Sequence, residues 1–299
     1  MFKGRLKESL GDRIFDIVNH IILILILIAV SYPVLIVISS SFSDAFSLMT
    51  GKVWLFPVNF TLDGYRAIFV HDKVWTGMYN SAVYTIAGTA INMLVTVLAA
   101  YPLSREDFTL KNPIALFFAF TMWFSGGLIP SYLLVRDLGM FNTRWAMLLP
   151  GALSIWNMII VRTYFQNNIS GEILESAKLD GCDDYRYLWQ IAIPLSTPAL
   201  AVVCLYYAVA HWNTFFNAYI YLQNKELFPI QVVLRDILLV GRVDTVSVEV
   251  TNGDSANAQL MNELLKYSLV VVASLPMAII YPFIQRFFVK GIMVGAVKG

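Results

Sequence analysis

The sequence predicts an all-α polytopic membrane protein: a helical bundle with six transmembrane helices and a short helical element on its cytoplasmic side. Three observations predict it. First, 58% of the 299 residues are hydrophobic and only 14% are charged, against about a quarter in ordinary soluble domains; mean hydropathy is +0.66. Second, apolar stretches long enough to cross a bilayer, which takes ~20 mostly apolar residues, recur along the whole chain. Third, a single long polar stretch, ESAKLDGCDDYRYLWQIAIP from Glu175 to Pro194, interrupts them.

Residues 1–299 read as one transmembrane domain without a soluble module, with spans at roughly 14–40, 74–103, 113–135, 145–165, 197–222 and 263–287. Ahead of the first span, Phe2, Leu6, Leu10 and Ile14 recur every four residues with bases between them, the pattern of a helix lying along lipid headgroups. The basic start imitates a signal peptide, but the apolar run continues past Pro33 to Ile38 without an A-x-A site, so an uncleaved span is expected. Gly126, Gly127 and Pro130 are expected to break the third span near the outer face.

Six spans put both termini on one side. Lys3, Arg5, Lys7, Arg13, Arg105, Lys111, Lys178, Arg186, Arg286, Lys290 and Lys298 then share the short inner segments, while the short outer loop holds Arg136 and Arg144. The positive-inside rule places both termini, and with them the polar stretch 167–195, in the cytoplasm. In the long outer segment 223–262, PIQVVLRDILL sets Ile230, Val233, Leu234, Ile237 and Leu238 on one helical face, and Pro229 suits the first turn. A short amphipathic helix on the outer surface is expected.

Several function classes are excluded or disfavoured. A net charge of +1 gives no basic surface for nucleic acid. No phosphate-binding G-x-x-x-x-G-K-[ST] occurs, so ATP and Mg are not expected on this chain, and no cofactor is. The three histidines show no metal-ligand spacing, and no G-x-S-x-G elbow is present. Acids inside the membrane are limited to Asp16 and Glu263 at span edges. Proton-coupled carriers bury carboxylates as relays, so a stand-alone secondary carrier is disfavoured, although sodium coupling through carbonyls stays open. Cys182 and Cys204 form no disulfide framework.

The polar stretch reads as two short amphipathic helices. Ser170 suits the cap of the first and Glu172 its positive end. Ile173, Leu174 and Ala177 form a narrow apolar face, and Gly181 stops the helix in a left-handed cap. Asp183 or Asp184 caps the second, where Tyr185, Leu188, Trp189 and Ala192 are spaced as one face before Pro194 ends it. An apolar face with a charged rim is the form of a docking element.

The pattern E-[AS]-A-x-x-D-G, nine residues, then I-x-[LI]-P resembles the EAA loop of permease subunits in bacterial ABC importers. It is carried by Glu175, Ser176, Ala177, Asp180, Gly181, Ile191 and Pro194, with Ser176 where alanine is usual and Ile193 where leucine is usual. GGLIPSYLLVRDLGMFNT, LPGALSIWNMIIVRTYFQ and HWNTFFNAYIYL extend the resemblance over the whole chain. They resemble the carbohydrate branch, near the maltose-type second permease and a subgroup for complex oligosaccharides, uronic ones among them. The resemblance implies a coupling helix docking on an ATPase subunit that binds ATP and Mg. It also implies a second homologous permease, two ATPase subunits, an extracytoplasmic sugar-binding protein, and alternating access without covalent chemistry. A permease of the same superfamily for peptides or ions is the alternative.

Sugars are held by aromatic faces and amide hydrogen bonds. HWNTFFNAYIYL supplies both: Asn213 and Asn217 lie four apart on an expected helix face, beside Trp212, Phe216 and Tyr219. Asparagine is costly in lipid, so the pair should face protein or a water-filled path; bonding between packed helices is the other reading. Asn157 with Trp156 is a weaker candidate. Arg162 reads as an interfacial residue with its head at the membrane surface, and His211 as structural.

Overall fold

The computed structural model describes residues 9–240 and 255–296, and every regular element among them is helical. Phe2, Leu6 and the bases Lys3, Arg5, Lys7 and Lys298 lie outside the described residues, as does the loop 241–254. In chain order the helices are α1 (Leu10–Ser41), α2 (Ala45–Met49), α3 (Asp63–Val70), α4 (Asp72–Ser104), α5 (Lys111–Trp123), α6 (Leu128–Asp137), α7 (Trp145–Leu148) and α8 (Ile155–Asn168). They continue as α9 (Gly171–Leu179), α10 (Asp184–Tyr187), α11 (Ile193–Leu195), α12 (Thr197–Trp212), α13 (Phe216–Tyr221), α14 (Ile230–Val240) and α15 (Ser255–Ala296). Two compact units result: one runs from the N-terminal segment through Val70 and adds Ile237–Val272, the other joins His71–Asp236 to the segment from Ala273 onward.

In the first unit, α1 starts at a capping box in which the Ser9 hydroxyl accepts from Asp12 N at 3.1 Å while Asp12 Oδ2 accepts from Ser9 N at 3.1 Å. Its 32 residues make a rod of ~48 Å, longer than the hydrocarbon core. Side chains from Leu10 to Val30 are all exposed, so lipid or another subunit must cover them. Only the far end is buried. There Ser39 Oγ donates to Leu55 O at 2.6 Å, Ser43 Oγ donates to Ser39 O at 2.7 Å, and Ser41 Oγ meets the Tyr65 hydroxyl at 2.8 Å. Gly64 is needed here because a Cβ would overlap the Ser268 side chain of α15.

The second unit is organised around α4. Its apolar packing partners are α8 and α12, through Val97, Ala100, Leu103, Met158, Val161, Phe165, Val203 and Tyr207. Lipid is as apolar as leucine, so such a bundle needs close packing and interhelical hydrogen bonds. Both are present. Gly88 lets α12 approach so closely that a Cβ would overlap the His211 ring. Thr96 and Tyr207 share a hydroxyl hydrogen bond of 2.7 Å, Ser154 N donates to Tyr207 Oη at 3.1 Å, and Asn92 Nδ2 donates to Gly151 O at 3.1 Å. His211, expected to be structural, is buried in this packing.

Among the described residues three helices are long and apolar enough to cross a membrane: Leu10–Ser41, Asp72–Ser104 and Met261–Pro282. Two bent pairs bring the number to five. The expected third span breaks between Trp123 and Leu128, where Gly127 takes φ 87°, and its halves meet at 113°. The expected fourth, 145–165, is divided into α7 and a 14-residue α8, ~21 Å long and too short by itself for a ~30 Å core. The fifth is also divided, with the helix of Thr197–Trp212 ending at Asn213 and a second starting at Phe216.

Candidate functional site

The polar stretch folds as two helical pieces hinged at glycine. α9 begins after Ser170, whose backbone is extended (φ −67°, ψ 145°), but its hydroxyl makes no capping bond. Gly181 takes φ 75°, and its N–H reaches Lys178 O at 3.1 Å while Cys182 N reaches Ala177 O at 2.9 Å. A glycine closes helices in this way because it enters the left-handed region without a Cβ clash. Of the two candidate caps for the next helix, Asp183 serves: its Oδ1 accepts from Arg186 N at 2.6 Å.

The second helix differs from its expected form. After α10 the chain makes a π-helical turn over Leu188–Ala192 and continues through Pro194 to Leu195. One extra residue in the turn shifts the phase of the face that follows. Tyr187, Leu188 and Ala192 are buried, while Tyr185 (73% exposed) and Trp189 (50%) point outward. Pro194 does not end the helix; the turn comes at Ser196, where the direction changes by 84° into α12. On α9, Leu174 and Ala177 pack inward, whereas Glu175, Ser176, Asp180 and Gly181 are exposed, as is Leu179. The outward surface thus combines Leu179, Tyr185 and Trp189 with a rim of acids.

A charge network braces this element against the end of α4. Arg105 donates through Nη1 to Asp184 Oδ1 at 2.9 Å and to the Tyr101 hydroxyl at 2.8 Å, and through Nε and Nη2 to Asp107 at 3.0 and 2.6 Å. Lys178 Nζ donates to the same Asp107 at 3.2 Å. The Arg105 side chain is only 10% exposed and also lies over the Tyr101 ring. Hydrogen bonds from Arg105, assisted by Lys178, hold the Asp107 carboxyl well below the usual carboxylate range. One helix end therefore fixes both pieces of the loop, α9 through Lys178 and α10 through Asp184. Arg162 is engaged too, donating through Nε to Leu103 O at 3.0 Å, where a cation suits the negative end of α4.

The candidate substrate residues separate into two sets. Trp212 is buried and its Nε1 donates to Ala273 O at 2.9 Å; Asn157 is buried in the first turn of α8, over the Ser154 cap. Both are packing residues in this structure. Asn213, Phe216 and Asn217 are exposed at the break between α12 and α13, so the two asparagines lie on successive helix ends rather than on one continuous face. In the segment after α13, Asn80 Nδ2 donates to Glu226 O at 2.6 Å and Phe228 O at 3.2 Å, Tyr84 Oη donates to Leu227 O at 2.8 Å, and Ser81 Oγ accepts from Ile230 N at 2.9 Å. Asn142, at φ 55°, accepts from Gln223 N and Asn224 N. These bonds seat α14, whose Ile230, Val232, Val233 and Ile237 are buried while Leu238 is exposed.

Sequence reasoning missed Arg105 and Asp107 as anchors; it used Arg105 only as one charge in a topology count. It also missed the seating of the segment after α13 by Asn80 and Tyr84. A polar residue in an apolar run is visible in a sequence, but its partner more than a hundred residues away is not.

No family model matches the chain. It is 39% identical over 290 residues to the polygalacturonan/rhamnogalacturonan transport system permease protein YtcP of Bacillus subtilis, covering 96% of this chain and 99% of that protein. It is 38% identical over 295 residues to protein LplC of the same organism, covering 98% of each. Among solved structures it matches a chain of a bacterial ABC transporter involved in the import of the acidic polysaccharide alginate, with a TM-score of 0.86, 32% identity, and coverage of 95% of this chain and 99% of that one. The chain belongs to the family of permease subunits of carbohydrate ABC transporters. It is an integral membrane protein of the bacterial plasma membrane and a transport subunit, not an enzyme.

Proposed function

We propose that this chain is one of two homologous permease subunits that together form the membrane path of an ATP-driven importer of oligosaccharides. An extracytoplasmic sugar-binding protein delivers the substrate, and two ATPase subunits bind ATP and Mg beneath the membrane. This chain holds no cofactor, spans the membrane six times and keeps both termini in the cytoplasm. The loop 167–195 is the coupling element. Its exposed Leu179, Gly181 and Tyr185 enter the ATPase surface, and Glu175 lies on the charged rim. Sugar passes the break at Asn213, Phe216 and Asn217.

The observation that carries the coupling role is the shape of the loop: it presents exposed Leu179, Tyr185 and Trp189 within an acidic rim, while its inner side is tied to the end of α4 by the Arg105–Asp184 and Lys178–Asp107 pairs. A loop serving only as a connection needs neither. The test is co-purification of the ATPase with a Glu175→Lys permease, together with ATP hydrolysis with and without loaded binding protein. Reversing a rim charge acts mainly on the association rate and its salt dependence, so weaker, more salt-sensitive docking and reduced substrate-stimulated hydrolysis are expected. Normal docking, stimulation and uptake would remove the loop from the coupling role.

A further inference from the structure

Arg235 stands on the polar side of α14, and its guanidinium carbon lies 4.3 Å from the ring centre of Tyr219 and 5.5 Å from that of Phe215. The two rings are themselves stacked, 5.9 Å apart at 26°. Phe215, Phe216 and Tyr219 belong to the segment that restarts the fifth span after its break, with Phe216 and Tyr219 each 54% exposed. We propose that Arg235 is the carboxylate-recognising residue of a subsite for acidic sugars at this outer, aromatic-lined break.

Stacking occupies the faces of a guanidinium. Its N–H donors lie in the plane and remain directed outward. Among the described residues the only carboxylate within ion-pair distance is that of the neighbouring Asp236, at 3.5 Å. That separation is at the limit of a hydrogen bond and does not use the fork in its bidentate geometry. The side chain is 30% exposed, so a ligand can reach its edge while the two rings keep it from wandering. A cation braced in this way loses little freedom on binding. The geometry suits a planar carboxylate attached to a ring that also presents a C–H face, as a uronic acid does. The nearby Asn213, Phe216 and Asn217 supply amide and aromatic groups for the rest of such a sugar. A mere brace between α14 and α13 would not need the planar fork.

This inference rests on the oligosaccharide reading and narrows it to carboxylate-bearing substrates. Two of the similar proteins are named for acidic polymers, polygalacturonan and alginate, which agrees with that chemistry. The test uses the complete importer in proteoliposomes with its own, unaltered binding protein. The probes are trigalacturonate and its fully methyl-esterified form, which share the sugar backbone but replace each carboxylate with a neutral methyl ester. Each variant is scored by the ratio of acid to ester uptake relative to wild type, which cancels the binding protein's own preference. Arg235→Gln is expected to lower that ratio about tenfold, the size of one charge-assisted hydrogen bond. Arg235→Lys keeps the charge without the fork and should lower it less. A ratio within about twofold of wild type in Arg235→Gln, or equal loss of both probes, assigns Arg235 to packing and overturns the subsite. A wild-type importer that carries neutral maltotriose but neither galacturonide overturns the subsite alone; one that carries no oligosaccharide overturns the reading on which it rests.

Discussion

Replacing Arg105 with alanine removes the side chain that holds α10 through Asp184 and orients Asp107, the partner of Lys178 on α9. The structure gives the size of the loss. Asp107 and Asp184 are 54% and 67% exposed, so each ion pair is screened and contributes only ~0.2–1 kcal/mol. The hydrogen bond to the Tyr101 hydroxyl, at 2.8 Å in a part-buried setting, adds ~1 kcal/mol. Only the Asp184 pair crosses to the loop, so at most ~1 kcal/mol, or a shift of up to about fivefold, falls on the balance between seated and unseated loop; the other contacts order the end of α4 that carries Arg105. The fold should survive, because Leu174, Ala177, Tyr187 and Leu188 stay in the core. The assay is substrate-stimulated ATP hydrolysis by the assembled importer, and a reduction of up to about fivefold is expected. Arg105→Glu paired with Asp184→Arg should recover part of it, since the pair is rebuilt with its charges exchanged. Stimulation unchanged in Arg105→Ala, or no better in the paired exchange than in Arg105→Glu alone, would refute the reasoning. The pH response has a definite sign. The Asp107 carboxyl is depressed in the fold, so its contribution is complete above the unfolded value of about 4. It is lost only as pH falls below that toward the depressed folded value. This anchor should therefore give no pH dependence of coupling between about pH 6 and 8.

Other outcomes follow from the same geometry. Gly181→Val places a β-branched residue at φ 75° with open space around its Cβ, so the cost is backbone strain of about 1–2 kcal/mol and not a clash; ATPase docking in pull-downs should weaken. Cys182 should resist a membrane-impermeant thiol reagent in intact cells and react once the membrane is opened, whereas ready labelling from outside would invert the topology. Asn213→Ala and Asn217→Leu should lower sugar uptake by an importer that still assembles, as read by subunit co-purification; failure to assemble would give these residues a packing role. Gly88→Leu drives a side chain into the His211 ring, and the melting temperature of the detergent-solubilised complex should drop by several degrees.

What the sequence made legible follows from the range of each interaction. Hydropathy averages over a window, so α1 and α4 were readable from it. The end of α9 was readable as well, because Gly181 decides it within a few residues. The π turn at Leu188–Ala192 was not, since nothing in LWQIA marks an extra residue; nor was the outward position of Tyr185, which lies ahead of that turn. Nor was the break at 213–215 readable, because Asn-Thr-Phe contains neither glycine nor proline, and the i, i+4 spacing of Asn213 and Asn217 suggested an uninterrupted helix. Trp212 shows the ambiguity of an aromatic residue in a membrane: its indole found Ala273 O as its partner, and no local pattern announces a carbonyl sixty-one residues away. The Arg105 anchor depends on four charges, Arg105 and Asp107 after α4, Lys178 on α9 and Asp184 on α10, meeting in space.

α4 is a single helix fastened near both of its ends. Asn80 and Tyr84 grip the backbone of 226–228, and Arg105, just past the other end, grips the coupling loop. Between those grips lie roughly 37 Å of helix. Such a rod is a lever. A tilt of about 5° at the Arg105 end becomes a displacement of roughly 3 Å at the segment that seats α14 and Arg235. No chain of small rearrangements through the core is required, because one stiff body carries the stroke. The two sides of the membrane would then report on each other with little delay, and stiffness of α4, more than any contact along it, would set how much of the ATPase motion reaches the sugar.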